Sequence, residues 1–182
     1  MFVLMDSSRS VEKTNFEKMK DFVISISEKF DMLTKRVRLG VISYGTNATV
    51  NIPLGDFNIH ADFAKEVKKI VYLKGTTSTS LALEKVYEAL FGDGGKARPL
   101  VSRAVVLITD GEGSEKLPPI MKKLRAKCTK LFGVGVGTQT TDADHVADND
   151  GNLIKVDSFS MLQDQVDKFM NTVCNGKYNN KF

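Results

Sequence analysis

Short apolar runs alternate with amphipathic stretches along the whole chain, and this alternation most limits the possible fold. Phe2–Met5 and Ala104–Ile108 are apolar at every position, which is typical of strands buried on both faces of a sheet. Asn15–Leu33 and Ser80–Phe91 instead place apolar residues three and four positions apart, as one buried helix face requires. Because strands of the first kind need helices on both sides, the order predicts an α/β fold.

The remaining elements predict a doubly wound, mostly parallel sheet with helices on both faces. We expect the further strands to be Val37–Tyr44, Ala48–Ile52, Leu131–Val136 and Leu153–Val156, and the further helices to be Asp62–Val71, Ser114–Lys127 and Ser160–Val173. The turn at Gly45–Asn47 joins two of these strands as a hairpin, which gives the sheet one antiparallel edge strand. We expect one domain over residues 1–174, followed by a polar tail or linker at 175–182.

Composition and charge exclude several classes of protein. Hydrophobic residues make up 42% of the chain and charged residues 26%, which is enough to build a core and excludes wholesale disorder. Lys and Arg are scattered among Asp and Glu, so the net charge of +4 does not predict a nucleic-acid partner. No run approaches the roughly 18 apolar residues of a membrane span. The apolar start has no basic lead-in, so we expect a domain of a longer mature chain rather than a signal peptide.

Oxygen-bearing side chains follow three elements whose ends should meet at one edge of the sheet. Asp6, Ser8 and Ser10 follow the first strand, Asp110 follows the central strand, and the loop at 75–80 is rich in Thr and Ser. Asp6, Ser8 and Ser10 by themselves would also suit a helix cap. The three loops together offer two carboxylates and several hydroxyls, but no Cys or His. Such a set of oxygen donors favours Mg²⁺ or Mn²⁺. Because the site contains only two carboxylates, the metal ion can still bind an acidic side chain of a partner.

These motifs resemble those of the von Willebrand factor A domain family and its metal-ion-dependent adhesion site. The resemblance runs from Phe2 to Cys174. It rests on Asp-x-Ser-x-Ser at 6–10, the Thr loop before the helix at 80–91, Leu-Ile-Thr-Asp-Gly at 107–111, the glycine-rich strand at 132–137, and the segments 37–44 and 154–159. Motifs in this order imply the fold and the metal site of that family.

Carried onto this chain, the resemblance implies a ligand set of five residues. They are Asp6, Ser8, Ser10, Thr77 and Asp110. Thr76 is an alternative to Thr77, one position away. Where the family most often has Gly between the two serines, this chain has Arg9, which puts a cation beside the surface that docks the partner.

The resemblance also implies a function without catalysis. It implies an extracellular module that uses Mg²⁺ or Mn²⁺ to capture acidic residues of matrix or cell-surface proteins, in cell adhesion or matrix assembly. Two alternatives stay open: a structural matrix scaffold with a secondary metal site, and an intracellular A domain within a larger assembly. Asn47–Thr49 is an N-glycosylation sequon on the hairpin turn, which favours a secreted glycoprotein.

The two cysteines have two possible pairings. Cys128 and Cys174 each end a predicted helix, so both should lie at the end of the domain opposite the metal, where a disulfide could join them. In secreted members of the resembled family, a Cys at the end of the last helix pairs with one ahead of the first strand. The partner of Cys174 therefore stays open.

Three other motifs are interpreted as structural. Gly92–Lys96 resembles a phosphate loop, but it follows a helix and lacks the final Ser or Thr, so we expect it to end that helix. Gly133, Gly135 and Gly137 lie within a strand rather than after one, and we expect them to allow close packing of a helix. Asp148–Asn152 resembles part of a calcium loop, but Val146 stands where the first ligand should be, which favours a turn.

Overall fold

The strands form one six-stranded sheet in the order β3-β2-β1-β4-β5-β6. The computed structural model describes residues 1–111, 113 and 117–174. The strands are β1 Phe2–Asp6, β2 Gly40–Tyr44, β3 Ala48–Ile52, β4 Arg103–Thr109, β5 Thr129–Val136 and β6 Leu153–Val156. Neighbouring strands are parallel except β2 and β3, which are antiparallel, so the predicted hairpin and its edge strand are confirmed.

Helices cover both faces of this sheet. They are α1 Lys13–Glu28, α2 His60–Lys69, α3 Thr79–Phe91, α4 Pro118–Ala126, α5 Thr141–Val146 and α6 Val166–Cys174. Val3 and Met5 face a core shared with α1, α2 and α6, whereas Phe2 and Leu4 face a core shared with α3, α4 and α5. All four of these β1 side chains are at most 1% exposed, which explains why this strand is apolar throughout. The predicted doubly wound fold is therefore confirmed.

The last predicted helix is shorter in the structure than in the sequence analysis. Ser160–Val173 was expected to be helical, but the segment begins with 3₁₀ turns at Phe159–Met161 and Gln163–Gln165 and becomes α6 only at Val166. Phe159 and Leu162 are both buried, and residues three apart align on a 3₁₀ turn, so this geometry buries the pair. The predicted tail at 175–182 lies outside the described residues, as do positions 114–116 of the predicted fourth helix.

The glycines of β5 make room for a helix that the sequence analysis did not predict. A Cβ atom on Gly133 would lie 2.2 Å from the Ala143 carbonyl oxygen, and one on Gly135 would lie 2.6 Å from Thr140 Cβ. The prediction of close helix packing is therefore confirmed for these two glycines. It is wrong for Gly137, which lies just after β5 with a φ of 85° and would have no atom within 4 Å of a Cβ, so it serves the turn instead. The helix that Gly133 and Gly135 contact is α5, which has six residues and no apolar periodicity to indicate it.

The other two structural interpretations are confirmed. Gly92 follows α3, and its N–H donates to the Glu88 carbonyl at 2.8 Å, so this glycine-rich loop ends the helix. The Asp148 carboxylate accepts from Arg125 Nε at 2.7 Å and from the Leu131 N–H at 2.9 Å, and the following residues form a 3₁₀ turn. This acid is therefore engaged in holding the start of β5.

The cysteines lie at the edge of the sheet where the parallel strands begin. Both are exposed and unpaired, so the structure does not contain the predicted bond between Cys128 and Cys174. Each lines a groove that also contains Arg103 and Lys130, near the amino ends of β4 and β5. The internal pair and the pairing outside this chain both stay predictions. None of the helices described is long and apolar enough to cross a membrane.

Glu12 has a strained backbone just before α1. Its φ of 63° and ψ of 154° lie in a region that is occupied almost only by glycine. We expect Glu12→Gly to raise the free energy of unfolding by about 1 kcal/mol, because relief of strain outweighs the added freedom of the unfolded chain.

Lys13→Gly provides the matched control for this prediction. Lys13 is the first residue of α1, where glycine should cost up to about 1 kcal/mol. Urea unfolding of both variants measures the two changes. A Glu12→Gly variant less stable than the wild type would show that the backbone at this position is not strained.

Candidate metal centre

Main-chain hydrogen bonds hold two of the three predicted loops together. The N–H of Arg9 donates to the Gly75 carbonyl at 2.9 Å, and the N–H of Gly75 donates to the Ser7 carbonyl at 3.1 Å. The N–H of Leu73 also donates to Ser7 Oγ at 2.6 Å. A Cβ atom on Gly75 would lie 2.4 Å from Thr46 N, so only glycine fits at this crossing. The loop at 70–78 is therefore aligned against the segment that follows β1.

The structure brings Asp6, Ser8, Ser10 and Asp110 together in one hydrogen-bonded chain. Ser8 Oγ and Ser10 Oγ are 3.0 Å apart, and Ser10 Oγ donates to Asp110 Oδ1 at 2.8 Å. Asp6 Oδ1 accepts from the Ser8 N–H at 2.8 Å, and Asp6 Oδ2 accepts from Thr109 Oγ1 at 2.6 Å. Asp6 is fully buried whereas Ser10 is exposed, so the chain of oxygens leads from the interior to the surface.

The two candidate threonines point to different neighbours. Thr76 is exposed, and its N–H and hydroxyl lie 3.2 and 3.4 Å from Thr46 Oγ1. Thr77 is half-buried, and its Oγ1 lies 4.0 Å from the position that a Cβ atom on Gly111 would occupy. The Thr77 hydroxyl therefore lies beside the turn that carries Asp110. The neighbouring acid Glu112 lies outside the described residues.

Burial raises the pKa of both carboxyl groups at this site. The pKa of Asp6 is raised from 3.8 to about 6, mainly by burial and further by the charge of Asp110, although hydrogen bonds from Thr109 and Ser8 oppose the rise. Burial also raises the pKa of Asp110, against the opposing hydrogen bond from Ser10. Both ionised groups would therefore be stabilised by a cation placed between them.

The available donors suit a hard cation. Over the described part of the chain, no three His, Cys, Asp or Glu residues are grouped so that they alone could hold a metal. A cation bound here must therefore also use the Ser and Thr hydroxyls. Oxygen donors with few charges are the set expected for Mg²⁺ or Mn²⁺, so the residues present fit the predicted ion.

Asp142 lies beneath the site and was missed by the sequence analysis. It is 2% exposed, and its Oδ2 accepts from Thr79 Oγ1 and from the Gly113 N–H, the latter at 2.9 Å. Thr79 follows Thr77 by two residues, and Gly113 follows Asp110 by three, so one carboxylate joins the two loops. The available signal was a polar run after β5, at the same edge of the sheet.

Comparison with known proteins identifies the family. The model of the von Willebrand factor type A domain matches residues 1–168, and the chain therefore belongs to this family. Matrilin-1 of Gallus gallus is 32% identical over 139 residues, which are 76% of this chain and 28% of that protein. The collagen alpha-1(XXI) chain of Homo sapiens is 30% identical over 141 residues, which are 78% of this chain and 14% of that protein. The chain thus spans less than a third of either relative.

Solved structures give the same family and an occupied metal site. Proximal thread matrix protein 1 from the mussel byssus superimposes with a TM-score of 0.87 at 26% identity, over 95% of this chain and 46% of the mussel chain. A second structure of that mussel protein has zinc in its metal-ion-dependent adhesion site, and it superimposes with a TM-score of 0.85. The fold is therefore one in which a relative binds a divalent cation at the corresponding motif.

Replacing Asp6 tests the electrostatic description of this site. Without metal at pH 7.5, we expect Asp6→Asn to be more stable than the wild type by on the order of 2–3 kcal/mol, because the folded wild type buries a charge. The asparagine oxygen can still accept from the Ser8 N–H. Because a raised carboxyl pKa means that the folded state binds the proton more tightly, the advantage should shrink as the pH falls through 6. It should vanish below about pH 4, where the carboxyl group is protonated in both states.

Urea unfolding in EDTA at several pH values measures this difference. Asp93→Asn, at an exposed position in the loop after α3, is the matched control and should differ little from the wild type at any pH. A difference between Asp6→Asn and the wild type that does not change with pH would contradict the assignment.

Proposed function

We propose that this A domain is an extracellular protein-binding module that captures acidic residues of matrix or cell-surface proteins through a bound Mg²⁺ or Mn²⁺. The observation that carries the proposal is the convergence of the Ser8, Ser10 and Asp110 oxygens at an exposed edge of the sheet, above the buried Asp6 carboxylate. The relatives named matrilin, collagen chain and thread matrix protein support a role in the extracellular matrix.

The proposed ligand set divides into direct and indirect donors. The proposed direct ligands are the hydroxyl of the buried Ser8, the hydroxyl of the exposed Ser10 and the half-buried Asp110 carboxylate, with Thr77 on the neighbouring loop. Both oxygens of Asp6 already accept hydrogen bonds from within the protein, so we assign this residue to act on the ion through water. An ion held by two carboxylates keeps its affinity for a further anionic oxygen, which a partner's acidic side chain would supply.

Arg9 supports an acidic partner. Its N–H donates to the Gly75 carbonyl, and its carbonyl accepts from the Tyr72 hydroxyl at 3.3 Å, so its main chain is fixed. Its side chain is exposed beside the two serines of the motif. A cation held there attracts an acidic surface during approach and raises the rate of association.

Three features distinguish the proposed function from the scaffold and intracellular alternatives: the glycosylation sequon, the cysteines and the effect of EDTA on partner binding. Asn47 is exposed on the turn between β2 and β3, so the proposed glycan is sterically possible and would favour secretion. Two free thiols at Cys128 and Cys174 in the purified protein would favour the intracellular alternative, because an oxidising compartment should pair them. A scaffold would bind its partners through helix faces and keep that binding in EDTA.

Metal binding is the first test of the proposal. We expect Mn²⁺ and Mg²⁺ to bind the wild type in calorimetry, and Ser10→Ala and Asp110→Ala to weaken binding by at least about tenfold, since each removes an oxygen from the site. Asp93→Ala is the matched control because it removes an exposed carboxylate at a distant loop. A wild type that binds neither ion would refute the proposed function.

Partner capture needs a second measurement. A short synthetic peptide with one Glu between apolar residues should perturb the NMR signals of the Mg²⁺-loaded loops, and its Gln counterpart should not. EDTA should abolish the effect. Equal binding of the two peptides, or full binding in EDTA, would instead support the scaffold alternative.

Asp142 is expected to position the metal loops without touching the ion. We expect Asp142→Ala and Thr79→Val to weaken Mn²⁺ binding by about tenfold or more, because each breaks the link between the two loops, whereas Thr79→Ser keeps the hydroxyl and should bind like the wild type. Val86→Ala, in the core under α3, is the control that lowers stability without touching the link. If Val86→Ala weakens binding as much as Asp142→Ala does, the effect reflects stability alone.

A further inference from the structure

A long groove crosses the edge of the sheet opposite the metal centre, where the parallel strands begin. One section has a volume of about 290 Å³ and is lined by Arg36, Arg38 and Arg98. The next section has a volume of about 830 Å³ and is lined by Leu100 and Thr129. Both sections share a wall formed by residues 101–103 and 130, so they lie next to each other on the surface. We call the two sections together the basic groove.

The arginines of the basic groove form no ion pair within the described part of the chain, although Arg36 interacts electrostatically with Asp31. Across the described residues, the ion pairs found involve none of Arg36, Arg38, Arg98 and Arg103. Asp148, which lines the second section, is already paired with Arg125 on its own side of the groove. The acidic residues that the structure describes therefore neutralise the positive charge of the groove only in part, and the remaining charge adds up to an attractive field for anions.

Two of the guanidinium groups are fixed by main-chain carbonyls. Arg98 donates to the carbonyls of Lys35 and Arg36, each at 2.8 Å. Arg103 donates to the carbonyls of Lys127 and Arg98 at 3.0 and 2.9 Å. These charges are held in place, but their forked donor groups face the protein and not the groove. They attract anions by their field rather than by bidentate hydrogen bonds.

Arg103 has a further feature that fits this description. Its guanidinium carbon lies 5.5 Å from the centre of the Phe91 ring, and its buried Nε has no hydrogen-bond partner. The Phe91 ring carries no net charge, and the Nε has no partner among the described residues. Arg103 therefore keeps its full positive charge at the shared wall of the two sections. Arg36 is exposed at one end of the groove and is free to meet a ligand directly.

We propose that the basic groove binds a sulfated polysaccharide chain, independently of the metal. A linear polymer with closely spaced sulfates matches an elongated depression with fixed cations along it. Arg98 and Arg103 are tied to main-chain carbonyls, so they would attract a sulfate or a carboxylate mainly through their charge. The edge strands β3 and β6 contribute no residue to the groove, so an extended peptide would find no strand to pair with.

Binding to immobilised heparin in EDTA tests the proposal while keeping the metal centre out of the measurement. We expect the wild type to bind at low salt and to elute as salt rises, because screening weakens the field of the groove. Arg36→Gln/Arg38→Gln should bind about 25-fold more weakly, since each cation near an anionic surface contributes about a factor of five. Lys122→Gln/Lys123→Gln removes the same charge from exposed positions on α4 outside the groove, and it should bind like the wild type.

The other outcomes would overturn the proposal. Equal loss in both double variants would show attraction to net charge rather than a site. Loss of all wild-type binding in EDTA would assign the polysaccharide to the metal centre. Displacement by poly-glutamate as effective as by heparin would make the partner an acidic peptide. Arg36→Gln alone, at an exposed position, should give part of the loss and guards against a folding defect in the double variant.

Discussion

The arrangement of the metal loops depends above all on the hydrogen bonds accepted by one fully buried side chain at the end of β1. Asp6 lies between the two neighbouring strands of the sheet, opposite Tyr44 of β2, and a charge in that position must be compensated by hydrogen bonds or a counter-ion. The Ser8 N–H and the Thr109 hydroxyl supply two hydrogen bonds, which draw in the loops after β1 and β4. Compensation remains incomplete, as the raised pKa shows. The burial of Asp6 therefore has two effects: it favours a bound cation, and it fixes the loops after β1 and β4.

The sequence was sufficient wherever a pattern had a direct physical meaning. A run such as Phe2–Met5 has no polar face, so it predicts burial on both sides of a sheet. The carboxyl ends of parallel strands share one edge, so the gathering of Asp6, Ser10 and Asp110 followed from strand order alone. These inferences do not require the path of any loop to be known.

Features that depend on particular contacts could not be predicted in this way. Helix α5 is too short to show a period, and Asp142, which lies on it, therefore appeared to belong to a loop. The choice between Thr76 and Thr77 depends on the Thr46 hydroxyl, which reaches the loop only because Gly75 lets two segments cross closely. The 3₁₀ turns before α6 reflect the burial of Phe159 and Leu162, which a helical spacing alone does not distinguish from a longer helix.

The position of β1 has a mechanical consequence. This strand begins beside the basic groove and ends at Asp6, and it is hydrogen-bonded to β2 on one side and β4 on the other. Tension between a partner at the metal and an anchor at the opposite pole would act along the strand, in shear. Parallel strands loaded in shear must lose their ladder of hydrogen bonds together rather than one after another. A domain built in this way is suited to resist a pulling force that acts between its two ends.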